Sequence, residues 1–444
     1  MGPKLPIEVR WAKEPDRPQL ADQLAVEQTV RGIIDDIRSR GERGLREHSE
    51  RLDKWNPERF LVGTAEIERA FKSVGQEAVA DIEHVRDRVR TFAEAQLTAL
   101  RPVEIEIEPG VTLGHRLIPV DAVGCYVPGG HYPLIASVHM QVTTAKVAGV
   151  RRVVVAAPPR AGEGIWPATL VAMAVCGADE IYCMGGVQAL AAMAFGTPEI
   201  APVDMITGPG NPYVAEAKRQ LFGEVGIDLL AGPTEILVIA DDSADAEMVA
   251  CDLLGQAEHG PTSPAHLVTT SAALADAVLE SLETQLLKLP TRELAGQSWR
   301  NLGGIAVVAT REDMVAYSDW FAPEHLELLV DDPAWFEERL TNYGSLFVGE
   351  ETTVAYGDKA VGVNHTLPTN RAARYTGGLW VGKFIKVVTY QRLTAAGSLA
   401  VAPYASRISS LEGMFAHAET ADFRVRRYAG ESRSTRDSVE GVRP

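Results

Sequence analysis

Short β-branched runs alternate with alanine-rich stretches between residues 111 and 348, and this alternation limits the possible folds more than any other feature of the chain. Val120–Val127, Arg152–Ala157, Glu180–Met184 and Val203–Thr207 read as strands, with helices near 133–148, 165–176 and 187–195. A second set follows at Glu235–Ala240, His266–Thr270, Gly304–Thr310 and Ser345–Val348, with a helix over 244–257. Strands separated by helices pair in parallel, because a parallel crossover needs a dozen or more residues. The pattern predicts α/β architecture with parallel sheets. Three strands of the first set run into glycine turns: Val127-Pro-Gly-Gly130, Met184-Gly-Gly186 and Thr207-Gly-Pro-Gly-Asn211. Ligands collect at the carboxyl ends of such strands, where glycine lets the backbone approach them. Neither GxGxxG nor GxxxxGK[ST] occurs, so a dinucleotide would be held in a non-standard way.

The flanks read differently. Residues from about 20 to 105 are helical in pattern, with Val30, Ile33, Ile34 and Ile37 at i, i+3, i+4, i+7. Ile82, Val85, Val89 and Phe92 repeat that pattern, and these helices read as packing elements without chemistry. From about residue 376 the chain mixes helix and loop and closes on a polar tail, Glu431–Pro444, expected to be disordered. A formal charge of −17 argues against nucleic acid or an anionic membrane as partner. No signal-peptide h-region and no membrane-length apolar run occurs, so the expectation is a soluble cytoplasmic protein. Cys125, Cys176, Cys183 and Cys251 form no CxxC pair and read as reduced, buried side chains.

Chemistry concentrates in four clusters. Asp252-Leu-Leu-Gly-Gln-Ala-Glu-His-Gly260 sets Gln256 and His259 one helical turn apart, and an amide oxygen with an imidazole can hold a divalent cation. Ala322-Pro-Glu-His-Leu326 offers Glu324 to activate water and His325 to take a proton. Tyr356-Gly-Asp358-Lys359, read as the end of a strand and its turn, supplies a hard oxygen ligand, and Asn364-His365 follows. Ser410-Leu-Glu412-Gly-Met-Phe-Ala-His417 adds a second imidazole.

Taken together, Tyr126-Val-Pro-Gly-Gly130, Gly208-Pro-Gly-Asn211 with Val214-Ala-Glu-Ala-Lys-Arg219, Ala231-Gly-Pro-Thr-Glu235, Gln256-Ala-Glu-His259-Gly, Pro323-Glu-His325, and Gly357-Asp358 with Asn364-His365 resemble the histidinol dehydrogenase family. The similarity runs in order from about residue 30 to 428. It implies a fold of two Rossmann-like α/β domains with a helical N-terminal segment and a small C-terminal domain, assembled as an intertwined homodimer. The implied boundaries are 1–24 for the N-terminal segment, 25–124 with 235–375 for the domain carrying the metal, 125–234 for the NAD-binding domain, and 376–444 for dimerisation. It also implies a zinc- and NAD-dependent enzyme, one zinc per subunit, that oxidises a primary alcohol through an aldehyde to a carboxylate. The implied zinc ligands are Gln256, His259, Asp358 and His417, and the proton-handling pair is Glu324 and His325. Tyr126, Gln188 and Asn211 would contact NAD. Thr234, Gln256, His259, His325, Asp358, Glu412 and His417 would contact substrate, with Glu412 and His417 reaching the partner subunit's site. A non-catalytic nucleotide or sugar-phosphate sensor would need this set broken, and it is intact.

The sequence departs from the histidinol-oxidising pattern where a substrate would be read. Thr234 stands where Ser is usual, Lys359 where an aromatic is usual, and His131 in a turn that usually carries small polar residues. The stretch from Asn364 to Lys386 is unusually basic for an acidic chain. Cationic groups suit a sulfonate better than they suit histidinol, which is itself cationic. The pattern resembles the sulfopropanediol dehydrogenase branch, which oxidises the small anionic diol 2,3-dihydroxypropane-1-sulfonate to 3-sulfolactate, with L-histidinol as the alternative substrate. Candidate sulfonate contacts are His131, Lys359, Asn364, Arg371 and Arg374.

Overall fold

The computed structural model describes residues 5–16, 23–129, 132–160 and 162–437. A short strand, β1 (Arg10–Lys13), precedes helices α1 (Gln23–Arg40), α2 (Glu42–Asp53), α3 (Thr64–Val74) and α4 (Gln76–Ala99), then strands β2 (Val103–Glu108) and β3 (Val111–Pro119). The first α/β stretch comprises β4 (Ala122–Tyr126), α5 (Ile135–Val138), α6 (Thr144–Val147), β5 (Arg152–Ala157), α7 (Pro167–Cys176), β6 (Glu180–Cys183), α8 (Gly186–Phe195), β7 (Met205–Thr207), α9 (Pro212–Leu221) and β8 (Gly226–Ile227). The second begins with β9 (Ile236–Ala240), α10 (Ala246–Ala257), β10 (Ala265–Thr269), α11 (Ala272–Leu286), α12 (Arg292–Leu302) and β11 (Gly304–Val307). It continues through α13 (Arg311–Phe321), β12 (His325–Leu329), α14 (Pro333–Glu337), β13 (Ser345–Val348) and α15 (Val354–Lys359). Strand β14 (Ile385–Leu393) and helices α16 (Ala395–Leu411) and α17 (Phe415–Asp437) close the described chain.

The chain divides into two compact units, one from the segments up to Leu97 and from Val120 to Phe384, the other from Thr98–Pro119 and from Ile385 onward. The first unit holds both parallel sheets. Its first sheet has the order β6-β5-β4-β7-β8, so the direction of strand addition reverses between β4 and β7. Such a reversal opens a crevice at the carboxyl ends of those two strands. Val30, Ile33, Ile34 and Ile37 of α1 and Leu45 of α2 share one buried cluster with Val154, Tyr182, Leu190 and Ile206 of this sheet and its helices. The N-terminal helices thus cover the 125–234 region, whereas the sequence reading grouped them with 235–375. Periodicity marks which helix face is buried but not which sheet it meets.

The second sheet has the order β1-β11-β10-β9-β12-β13, with β1 antiparallel at its edge. Central β9 is buried along its whole length, as expected of a strand covered on both faces, and each aliphatic side chain there contributes about 1.5–3 kcal/mol. Glu324, His325 and Glu327 interrupt the apolar run of β12, so no local pattern marks it as a strand, yet all of His325–Leu329 is buried. The helix expected over 133–148 contains a π-helical segment, His139–Thr143, between α5 and α6.

In the second unit β14 pairs antiparallel with β3 from Ile385↔Pro119 to Leu393↔Val111, and β2 lies on the other side of β3. A nine-residue strand therefore stands where loop was expected. Lys386, Thr389, Gln391 and Arg392 dilute its apolar residues, and most of the strand is exposed. Helix α17 continues to Asp437, so 431–437 of the supposedly disordered tail is helical, and 438–444 lie outside the described residues. The cysteines are free, with Cys251 exposed rather than buried. No helix among the described residues is long and apolar enough to cross a membrane.

Candidate active site

The second sheet offers its chemistry at the amino edge, not at the carboxyl edge that the glycine turns of the first sheet suggest as a rule. Thr234 and Glu235 lead into β9, Glu324 and His325 into β12, and the last turn of α10 returns Gln256 to the same edge. The peptide of Glu235 holds both halves of the Glu-His pair. Its N–H donates to Glu324 Oε2 (2.9 Å), and its carbonyl lies 3.0 Å from His325 Nδ1. A carbonyl can only accept, so Nδ1 carries hydrogen and the neutral ring keeps its lone pair on Nε2. That nitrogen is buried without a hydrogen-bond partner and lies 3.7 Å from Asp358 Oδ1.

Two ligand-type groups meet beside it, and a third residue, Gln256, is tied to Thr234 of the same cleft. His259, just past α10 rather than within it, directs Nδ1 to the Gln256 carbonyl (3.2 Å), which leaves Nε2 as an acceptor 3.7 Å from Asp358 Oδ2. The Gln256 amide nitrogen donates to Thr234 Oγ1 (2.9 Å), leaving Oε1 buried and unpartnered. An unmet buried acceptor costs about 1–3 kcal/mol, and imidazole lone pairs facing a carboxylate repel it. A divalent cation bound by the amide oxygen, the imidazole and the carboxylate would relieve all of this at once, so these residues fit zinc. Asp358 reaches the cluster from the short helix α15, not from a strand end as expected. His365 donates Nδ1–H to the Asp358 carbonyl (2.9 Å) and lies 3.6 Å from its Oδ1. The sequence reading assigned it no role, since nothing in spacing alone shows that a loop seven residues on folds back.

Burial sets the electrostatics. It raises Glu324, and it pushes Glu235 up to about 8 with help from the neighbouring Glu324 carboxylate. Burial alone would depress His325, but Glu324 and Asp358 outweigh it and lift the imidazole to about 9. For Asp358 burial is likewise overcome, chiefly by His365, His259 and His325, which hold the carboxyl well below its usual range. Burial lowers His365.

The first sheet contributes its carboxyl edge to the same cleft, which has a volume of about 820 Å³. Tyr126 ends β4, Gln188 lies in the first turn of α8, and Asn211 caps α9. Tyr126 Oη accepts from Gly186 N (3.1 Å), and burial pushes its phenol up to about 12. Asn211 Oδ1 accepts from the N–H groups of Tyr213 (3.0 Å) and Val214 (3.1 Å), which leaves its amino group for a ligand. Gly208 has φ +122°, and a Cβ there would fall 2.2 Å from the Tyr126 carbonyl, so only glycine fits this turn. Beneath it Lys218, 1% exposed, pairs with Asp228 and donates to the Gly208 carbonyl (2.8 Å), while Gly208 N–H donates to Asp228 (2.9 Å). Thr29, Ile33, Leu52 and Asp53 also line the cleft, so helices read as mere packing elements border the site.

The other expected residues separate. Thr234, Glu324, His325, His259, Asp358 and Lys359 line the cleft, and Lys359 Nζ lies 3.4 Å from Asp358 Oδ2. Asn364 does not line it: its amide donates to Met140 O (2.8 Å) and Thr144 Oγ1 (3.3 Å), holding the π-helical segment. Arg371 stacks on Trp320 at 5.3 Å and Arg374 donates to the Arg371 carbonyl (3.0 Å), and neither lines the cleft. His131 lies outside the described residues. Glu412 and His417 belong to the second unit, where Glu412 caps α16 and His417 lies in the first turn of α17, both exposed. They flank a turn at Gly413 (φ +72°).

Comparison with known proteins gives the family of the chain. The family model for histidinol dehydrogenase matches residues 16–425. The chain is 54% identical over 403 residues (91% of its length, 95% of the relative's) to a histidinol dehydrogenase homolog of Shouchella clausii (strain KSM-K16). It is 47% identical over 422 residues (95% and 97%) to a sulfopropanediol 3-dehydrogenase of Ruegeria pomeroyi (strain ATCC 700808 / DSM 15171 / DSS-3). Among solved structures, histidinol dehydrogenase from Elizabethkingia anophelis superposes with a TM-score of 0.85 at 34% identity, covering 92% of this chain and 97% of that one. The chain belongs to the histidinol dehydrogenase family, NAD-dependent dehydrogenases that act on an alcohol and its aldehyde.

Proposed function

We propose that this enzyme carries out a four-electron oxidation of a primary alcohol to a carboxylate, and that its substrate is 2,3-dihydroxypropane-1-sulfonate, giving 3-sulfolactate. The observation that carries the reaction type is that the His259 and His325 imidazoles both face the Asp358 carboxylate, while Gln256, bonded to Thr234, keeps a buried, unpartnered Oε1. Zinc held by Gln256, His259, Asp358 and His417 would act as a Lewis acid that orients the alcohol oxygen and lowers its pKa. Tyr126, Gln188 and Asn211 would hold NAD, which would supply the hydride acceptor. His325 takes the hydroxyl proton on Nε2. A cation held by Asp358 would weaken that carboxylate's hold on the imidazole proton and so bring His325 towards the neutral range a base needs. Glu324, made a stronger base by burial, takes a proton from the water that adds to the aldehyde before the second hydride leaves.

Two observations support the sulfonate. Lys359 places an ammonium group in the cleft, its side chain 55% exposed and thus accessible to an anion. A relative at 47% identity is named sulfopropanediol 3-dehydrogenase. L-Histidinol is the second reading, favoured by the likeness to a histidinol dehydrogenase structure. The deciding assay supplies zinc, NAD and either alcohol. Two NADH per dihydroxypropanesulfonate and little turnover of L-histidinol are expected; better turnover of histidinol would reverse the substrate assignment. Chelation should abolish turnover, and zinc should restore it. Lys359→Met should raise KM for the sulfonate about tenfold with little change in kcat.

The working form we propose is a cytoplasmic homodimer in which each copy donates Glu412 and His417 to the site of the other. In support, the second unit exposes Val103, Ile105 and Ile107 along β2, Tyr404, Ile408 and Leu411 on α16, and Phe415 and Phe423 on α17. Exposed apolar side chains grouped in this way suit burial against a second copy of the chain.

A further inference from the structure

Asp53 lines the cleft although nothing about its own helix calls for a carboxylate there. It is the last residue of α2, where the helix dipole disfavours an anion, and it forms no ion pair with a cation among the described residues. Its Oδ2 accepts from Gln188 Nε2 (2.9 Å) and from Gly185 N–H (3.2 Å), which fixes the carboxylate over the glycine turn that follows β6. A Cβ on Gly185 would lie 3.2 Å from Asp53 Oδ1 and 2.7 Å from Pro158, the residue just beyond β5. Asp53 therefore sits at the carboxyl ends of β5 and β6, the second and third strands of the sheet in chain order.

In dinucleotide-binding sheets with this strand reversal, an acidic residue near the end of the second strand commonly takes the ribose hydroxyls. Here that strand runs out into Ala157-Pro-Pro-Arg160, with no acid. Arg160 is stacked on Trp166 at 4.9 Å and does not line the cleft. Among the described lining residues Lys359 is the one lysine or arginine, and it stands beside Asp358 at the other end of the site. We propose that Asp53, reaching in from the N-terminal helices, accepts hydrogen bonds from the 2′ and 3′ hydroxyls of the adenosine ribose of NAD and rejects the 2′-phosphate of NADP. It is thus a specificity-determining residue supplied from upstream of the whole sheet. The assignment rests on the reading of Tyr126, Gln188 and Asn211 as the NAD site.

The test is calorimetric titration of the full-length chain and of Asp53→Asn with NAD and with NADP. Asparagine keeps an acceptor for Gln188 and Gly185, so the glycine turn stays tethered while the charge goes. Wild type should bind NAD at least about thirtyfold tighter than NADP. In the variant, loss of the charge-assisted bonds should weaken NAD about tenfold and bring the two affinities within a few-fold of each other. A variant that weakens both ligands by the same factor, or neither, overturns the role of Asp53 and leaves the NAD site standing. Wild type that fails to bind NAD overturns the NAD site itself, and this inference with it. Thermal melting checks that the variant folds, and Asp53→Ser, read by the same ratio, replaces it if it does not.

Discussion

His325 owes its tautomer, and Glu324 its orientation, to the peptide of Glu235. Removing the base by His325→Ala should slow alcohol oxidation by about 10²–10⁴-fold. Glu324→Gln should fall mainly on conversion of aldehyde to acid, read by supplying the aldehyde directly; full activity of both variants would remove the roles assigned here. Glu235 itself makes a prediction about pH. Its carboxyl is held up at about 8 by burial and Glu324, so above the ordinary carboxyl pKa the folded chain keeps a proton that the unfolded chain has lost. Its contribution to stability is complete below that ordinary value and drains away as pH rises to about 8. Glutamine mimics the protonated acid at every pH. The melting temperature of Glu235→Gln should therefore gain on wild type between about pH 5 and pH 8, and a constant difference over that range would mean the acid is already ionised in the fold.

At the scale of elements, the proposed nucleotide side of the cleft depends on the turn between β7 and α9. Lys218 and Asp228 are both buried and tie that turn down through Gly208. Replacing Lys218 by methionine leaves Asp228 charged, buried and unpaired, which should cost about 3–5 kcal/mol in denaturant unfolding. A loss well below about 1 kcal/mol would show that water reaches the pair. The two sheets also divide the labour by edge: β4, β6 and β7 present their carboxyl ends to the cleft, β9 and β12 their amino ends. The glycine turns made the first half legible in the sequence. The second half was not, because β12 carries charged residues in a buried strand and its order beside β9 is set by pairing that no local pattern encodes.

At the scale of the molecule, the proposed sharing of sites between two copies makes a prediction that no single-chain property could mimic. A His325→Ala chain and a His417→Ala chain should each be inactive alone. Unfolded together and refolded, they should recover about a quarter of wild-type activity, since half of the dimers are mixed and one site in each mixed dimer is whole. No recovery, with mixed dimers confirmed by mass, would place His417 in its own chain's site. A charge on the exposed face of β2, such as Ile105→Lys, should shift the sedimentation coefficient towards that of a monomer and cut activity with it.

The order of strands and helices, the apolar stripe of α1, the glycine turns and the residue types suited to hold a cation were all written locally in the chain. Each depends on near neighbours: periodicity, backbone freedom at glycine, side-chain chemistry. Tertiary structure alone decided which sheet α1 and α2 cover, and so that Asp53 borders the cleft. It also decided that His365 packs under Asp358, that Asn364 serves a π-helical segment instead of a ligand, and that Gln256 Oε1 is left without a partner. These outcomes turn on contacts between residues far apart in sequence, where burial gives a carboxylate or an amide its energy and a one-dimensional pattern carries no distance.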